Sequence, residues 1–232
     1  MTSIPVLLIP GLNCTARLWA GQVADLGAGR AVMVADHAGA ETIAAIAAAI
    51  LAEAPPRFAL VGLSMGGYVA MEILRVAPER VARLCLVDTQ ARADAPEAAE
   101  VRRQLIEITE RGGFAKIAAL QYPKLVAPAR ADDVDLQRVV RAMADATGAD
   151  AFVRQQKAIL TRIDSRPSLG AVRCPTTVLV GADDQLTPPD MAAEMAGLVP
   201  GARLVEIPGA GHLSPLEAPE AVSAALWDWL RD

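Results

Sequence analysis

Short, nearly continuous apolar runs alternate with longer Ala-rich stretches of helical spacing, and this alternation constrains the fold more than any other feature. The runs fall at residues 4–9, 31–35, 58–61, 84–87, 176–180 and 203–207. Runs that are apolar throughout, rather than at every second position, fit parallel strands covered on both faces. The helical stretches are 41–53, with Ile43, Ile46 and Ile50 on one stripe, then 65–76, 190–198 and 217–230. Strands separated by helices build βαβ units, so the pattern predicts an α/β protein, a mostly parallel sheet with helices on both faces. Hydrophobic residues make up 53% of the 232, enough for one large buried core. The alternation lapses over residues 91–167, which hold only helical patterns (97–111, 114–120, 132–146 and 149–163). These are broken at Gly112-Gly113, Pro123, Pro128 and Gly148. The simplest arrangement is a helical lid subdomain, residues 91–167, inserted into a core of residues 1–90 and 168–232.

The sharpest local signal is Gly62-Leu63-Ser64-Met65-Gly66-Gly67, directly after the run at 58–61 and at the start of the helical stretch 65–76. A Gly-x-Ser-x-Gly sequence alone is common, but between a strand and a helix it describes a nucleophile elbow. So sharp a turn brings the residues two before and two after the serine into collision unless both lack a side chain. The turn lifts the Ser64 hydroxyl above the strand ends, and the helix N-terminus below it favours developing negative charge.

A serine hydroxyl needs an adjacent base to act as a nucleophile at neutral pH. His212, in Gly209-Ala210-Gly211-His212-Leu213, follows the run at 203–207 and can reach the C-terminal edge of the sheet, where such sheets place their ligands. The imidazole in turn needs an anion to fix its tautomer. Asp183 and Asp184 follow the run at 176–180 and compete for that role. One residue's difference turns the side chain, so only one of the pair should face the histidine. Asp184 is favoured, Asp183 is left to cap the loop or meet solvent, and Asp88, after the run at 84–87, is a third candidate. An oxyanion requires preorganised donors. The Met65 amide is one, and the Leu12 amide, in the turn Ile9-Pro10-Gly11-Leu12-Asn13, is the other.

The stretches Leu8-Ile9-Pro10-Gly11-Leu12, Gly62 to Gly67, Val180-Gly181-Ala182-Asp183-Asp184 and Gly209-Ala210-Gly211-His212 together resemble the α/β-hydrolase fold family, in its small, lidded bacterial serine esterase type. The likeness spans almost the whole chain, and the order Ser64, Asp184, His212 is the family's order. The family pattern of a glycine, two residues and then the acid selects Asp184. Two departures stand out. Many members carry His-Gly where this chain has Pro10-Gly11, and the family's first antiparallel hairpin is missing before the first strand. His37, in Asp36-His37-Ala38-Gly39, falls where the family often has an Asp-x-x-Gly turn, as a turn residue or one near the mouth of the site. The resemblance implies hydrolysis of a small carboxylic ester or lactone through an acyl-enzyme. The same triad also serves C–C bond hydrolysis, lyase chemistry and acyl transfer in similar folds, and some members are small-molecule receptors. A serine at the elbow disfavours epoxide hydrolase and haloalkane dehalogenase, which use a carboxylate there.

Composition narrows the remaining classes. A net charge of −5 and 3% aromatics disfavour a nucleic-acid partner. The densest basic spot, Arg102-Arg103, reads as a solvated helix face. Cys14, Cys85 and Cys174 are too scattered for a disulfide framework or a zinc knuckle, and His37 and His212 are the only histidines, so no metal is expected, and the acyl-enzyme cycle needs no organic cofactor. Cys14 reads as buried packing, and Trp227 and Trp229 as packing or rim residues of the last helix. No apolar stretch is long enough for a membrane span, and no signal peptide is evident, so a cytoplasmic protein is expected. Leu105, Ile108, Phe114, Leu120, Tyr122, Leu125 and Phe152 could line an apolar substrate pocket; the sequence does not say which face it, and it leaves the oligomeric state open.

Overall fold

A computed structural model describes residues 3–231 of the chain, so the outer core boundaries expected at residues 1 and 232 lie outside the described residues. Six strands, β1 (Val6–Ile9), β2 (Val32–Val34), β3 (Phe58–Leu63), β4 (Val81–Val87), β5 (Thr176–Gly181) and β6 (Arg203–Ile207), form one sheet in the order β2-β1-β3-β4-β5-β6. Every strand pair is parallel. Three helices precede the fourth strand: α1 (Ala20–Leu26), α2 (Ile43–Glu53) and α3 (Met65–Val76). Five lie between β4 and β5: α4 (Pro96–Ile108), α5 (Phe114–Leu125), α6 (Val134–Thr147), α7 (Ala149–Leu160) and α8 (Arg166–Leu169). The last three are α9 (Pro189–Leu198), α10 (Ser214–Glu217) and α11 (Pro219–Arg231). Among the described residues no helix is long and apolar enough to cross a membrane.

The strand side chains alternate between two apolar clusters, as the pleat requires. On one face Leu7, Ile9, Leu60, Leu84, Leu86, Val178 and Val180 meet Ile43, Ile46 and Ile50 of α2, Val69 and Ile73 of α3, and Met195 of α9. On the other, Val6, Leu8, Val61, Leu63, Val87 and Leu179 meet Leu26 of α1 and Val222, Leu226 and Trp229 of α11. That is why β1, β3 and β5 are buried at every position and read as unbroken apolar runs, whereas edge strand β6 carries exposed Arg203 and Glu206. Each fully buried Leu, Ile or Val contributes about 1.5–3 kcal/mol relative to exposure. Surface ion pairs such as Arg138–Asp135 and Arg103–Glu100 add under about 1 kcal/mol, so the two clusters hold helices to sheet.

Several boundaries differ from the sequence expectation. Helix α5 runs through Pro123 to Leu125 instead of breaking. A proline in the last turn removes a single hydrogen bond, and Gln185 Nε2 caps that end by donating to the Pro123 and Val126 carbonyls at 3.0 Å each. The stretch 217–230 is two helices, because Pro219 opens α11 after Ala218 leaves helical geometry. Helix α1, too short to show periodicity, is held by tertiary contact: Gln22 Nε2 donates to the Pro219 carbonyl at 3.1 Å. Between β4 and β5, Phe114 and Phe152 stack with centroids 5.4 Å apart. Tyr122 is buried and its hydroxyl lies 3.0 Å from the Arg130 carbonyl, so it braces α5 against the start of α6, while Leu120 and Ile108 point to solvent.

Candidate active site

Ser64 sits between β3 and α3 with φ 53° and ψ −114°. A non-glycine residue there carries about 1–3 kcal/mol of strain and persists only where its surroundings impose it. Here the Ser64 N–H donates to the Val87 carbonyl (3.0 Å), and its carbonyl accepts from Thr89 Oγ1 (2.8 Å) and the Gly67 N–H (2.9 Å). The flanking glycines are sterically required. A Cβ on Gly62 would overlap the Gly66 carbonyl, and one on Gly66 would overlap the Ile9 and Pro10 carbonyls at the end of β1.

The loop after β6 brings His212 to the same edge. Its Nε2 lies 2.9 Å from Ser64 Oγ and its Nδ1 lies 2.8 Å from Asp184 Oδ2. The loop is clamped by Glu217, whose Oε1 accepts the N–H groups on either side of the histidine, from Gly211 (3.0 Å) and Leu213 (3.1 Å). Glu217 Oε2 accepts the Ala127 N–H at 2.8 Å and so ties the same loop to the end of α5. Gly211 has to be glycine, because a Cβ would run into the backbone of Val126 and Ala127.

Asp184 is buried and saturated with donors: Oδ1 accepts from the Leu186 (2.8 Å) and Thr187 (3.0 Å) amides, and Oδ2 from Thr187 Oγ1 (2.7 Å). Asp183 is exposed, facing solvent. Asp88, also buried, does not bond the histidine; it accepts from the Gly181 N–H (2.8 Å) and Ser214 Oγ (2.6 Å). Burial, then the nearby charge of Asp184, pushes the Asp88 carboxyl up to about 8. For His212, burial works against the imidazolium, but Asp184 outweighs it with help from Asp88 and Glu217, and the pKa is raised. Burial would raise Asp184 too, yet the charge and hydrogen bond of His212 and the Thr187 donors bring it below the ordinary carboxylate value. The two shifts describe one coupled pair that favours imidazolium beside carboxylate.

Leu12 lies in the turn after β1, where a Cβ on Gly11 would be 3.4 Å from Ser64 Cβ. Met65 begins α3. Among the described residues neither the Leu12 nor the Met65 N–H has a protein acceptor. Met65 follows Ser64 in the chain, and the turn that carries Leu12 passes beside it. His37 is buried under the turn, 2.9 Å from the Gly11 carbonyl. Cys14 is buried as well, its thiol pushed up to about 12 by burial, so no thiolate is available there. Trp229 is core, and Trp227 lies at the rim, donating to Asp25 Oδ2 at 2.7 Å. No group of three or more His, Cys, Asp or Glu side chains that could hold a metal occurs among the described residues.

A sequence model of the alpha/beta hydrolase family matches residues 6–225, which takes in the turn after β1, the elbow and both partner loops. The chain belongs to the alpha/beta hydrolase family. The chain superimposes on a thermophilic esterase from Thermogutta terrifontis, a structure with malate bound, with a TM-score of 0.90 and 34% identity over 99% of this chain and 90% of that one. It shares its fold with the enol-lactonase from Burkholderia xenovorans LB400 (TM-score 0.89, 24% identity, 100% and 93% covered). A curated relative from Mycobacterium tuberculosis, provisionally named the non-heme bromoperoxidase BpoC, is 29% identical over 97% of this chain and 93% of its own length.

Sequence reasoning missed three residues that brace this site: Glu217, Thr187 and Gln155. Thr187 had a local signal, since an aspartate followed three residues on by threonine can accept that residue's amide in a tight turn. Gln155 had none, because it bonds Asn13 across 142 positions; Glu217 lies only six and four residues from Gly211 and Leu213, but no sequence motif marks an acid there as the clamp of a histidine loop.

Proposed function

We propose that the protein is a serine hydrolase that cleaves a small carboxylic ester through an acyl-enzyme. The observation that carries this reading is the unbroken chain from Ser64 Oγ to His212 Nε2 (2.9 Å) and from His212 Nδ1 to Asp184 Oδ2 (2.8 Å) at a strained elbow. In this reading Ser64 Oγ attacks the ester carbonyl as its proton passes to His212 Nε2, and Asp184 stabilises the imidazolium. The Leu12 and Met65 amides hold the oxyanion, each worth on the order of 3 kcal/mol. Collapse expels the alcohol, which takes its proton from His212. Water then attacks the acyl group, giving a proton to His212, and Ser64 leaves as the free hydroxyl with the carboxylic acid as product. Residues 91–167 act as the lid over this edge, and their tie to Glu217 sets where the lid meets the histidine loop.

Esters lead because a known esterase is 34% identical over nearly the whole chain. Lactones follow closely, since the bonds made and broken are the same and an enol-lactonase shares the fold. The test treats the wild-type protein with a fluorophosphonate, maps the labelled peptide, and assays p-nitrophenyl esters of increasing acyl length beside simple lactones. Labelling at Ser64 with steady turnover and a chain-length optimum supports the proposal. Labelling without turnover on either class would shift it to C–C hydrolysis, lyase chemistry, acyl transfer or a receptor. Absence of labelling would end it.

The charge of the histidine pair sets the pH profile. A base must be neutral to accept a proton, and the raised His212 pKa means that at a given pH less of it is neutral. Activity (kcat/KM) is therefore expected to rise with pH through an inflexion above the ordinary histidine value of 6.5. A rate-pH profile that reaches its plateau well below that value would contradict the pairing.

A further inference from the structure

The peptide between Gly11 and Leu12 carries two groups that matter at opposite ends of one plane. In a trans peptide the carbonyl and the N–H point in opposite directions, so whatever holds the Gly11 oxygen also aims the Leu12 N–H. Glycine at one side leaves such a plane free to flip at little cost. The fold holds it from two directions. His37 Nε2, on the loop after β2, lies 2.9 Å from the Gly11 carbonyl, which also accepts the Cys14 N–H at 3.2 Å. Gln155 Oε1, on α7, accepts the Asn13 N–H at 3.0 Å, which pins the next peptide plane along, between Leu12 and Asn13. Asn13 itself has φ 60°, a left-handed conformation that asparagine adopts more readily than most residues. Both side chains are buried, Gln155 completely. Neither touches Ser64, His212 or Asp184 in any hydrogen bond, so nothing in the proposed proton path accounts for them.

We infer that His37 and Gln155 are positioning residues which lock the two peptides flanking Leu12 and so aim its N–H at the oxyanion. The inference rests on the reading of Leu12 as an oxyanion donor and adds to it the groups that fix its direction. One proton decides whether the lock is set. Burial lowers the His37 pKa against the pull of the Gly11 carbonyl and Asp36, so the ring is neutral and carries a single hydrogen. Gln155 Nε2 lies 3.1 Å from the same His37 Nε2. With the hydrogen on Nε2, the ring donates to the Gly11 carbonyl and the Gln155 amide nitrogen beside it makes no hydrogen bond to the ring. With it on Nδ1, the ring would instead accept from Gln155 and release that carbonyl. The lock requires the Nε2–H tautomer. It also makes a helix of the 91–167 segment part of the oxyanion loop's support, so moving that segment away would loosen the donor.

The test has an arm that reads the lock directly and an arm that reads its effect. Nitrogen-15 NMR of the wild-type protein should show His37 as the neutral Nε2–H tautomer; the Nδ1–H tautomer would overturn the inference whatever the enzyme does. His37→Leu should slow fluorophosphonate labelling of Ser64 and lower kcat on the best ester about 10–100-fold, short of the loss from deleting a donor outright. KM should stay within about threefold, because the donor acts on the transition state. His37→Gln places an amide N–H near Nε2 and should recover most of the rate. Gln155→Leu should lower kcat about 10-fold in the same KM-independent way. Equal rates in wild type and His37→Leu would overturn the inference. So would a loss in His37→Leu that His37→Gln shares fully while both melt at the wild-type temperature. If the wild type itself is not labelled at Ser64, the hydrolase reading falls instead, and the tautomer still decides whether the lock exists.

Discussion

Ser64→Ala is expected to lower kcat on the best ester by about 10⁵–10⁶-fold, to the level left by substrate binding and the oxyanion donors alone. The size follows from the chemistry: with no hydroxyl at position 64 there is no covalent intermediate, and a water must be activated at a position the site was not shaped for. The substitution should leave the fold intact. Alanine and serine meet the same backbone strain at φ 53°, and the carbonyl and N–H bonds that impose this conformation come from the main chain of residue 64. Adding His212→Ala should cost little more, because the two side chains act as a unit. Steady-state kinetics with an active-site titration would check this. Residual activity within 100-fold of wild type, with contamination excluded, would mean that another group is the nucleophile.

The second large effect separates two adjacent carboxylates. Asp184→Asn should lower kcat by about 10⁴-fold, the scale seen when a triad acid is replaced by its amide. The asparagine carbonyl or amide would face Nδ1, the Leu186 and Thr187 amides compete for the same oxygen, and the imidazole loses the anion that holds its proton on Nδ1. With that proton on Nε2, the ring presents a donor to Ser64 and cannot accept. The acid limb of the pH profile should also move down, since the charge that outweighs burial at His212 is gone. Asp183→Asn should change kcat by less than about twofold, because its side chain is exposed. Asp88 offers no rescue while it is committed to Gly181 and Ser214. A larger loss from Asp183→Asn than from Asp184→Asn would overturn the assignment.

These effects trace back to features of unequal legibility. The apolar runs mark β1, β3 and β5 because strands buried on both faces must be apolar at every position. The elbow is legible because the steric demand at Gly62 is local, an overlap with the backbone of Gly66 and Gly67, whereas Gly66 is set by the carbonyls of Ile9 and Pro10 at the end of β1. The end of α5 is not legible at Pro123, whose effect depends on its place in the last turn and on a cap donated by Gln185, 62 residues away. The division at Pro219 is local, but the helical periodicity on either side of it masks it.

Sequence alone was enough to establish the alternating α/β architecture, the elbow and the loops that carry Asp184 and His212, because hydrophobic period and turn sterics act over a few residues. Tertiary structure decided which of Asp183 and Asp184 turns inward, how Glu217 grips both amides beside His212, and how His37 and Gln155 grip the turn at Gly11–Asn13. The His37 and Gln155 bonds, and the one from Ala127 to Glu217, join buried groups far apart in the chain. The geometry of these long-range bonds is set by how the sheet, α7 and the β6–α10 loop pack together, and no stretch of sequence holds both partners.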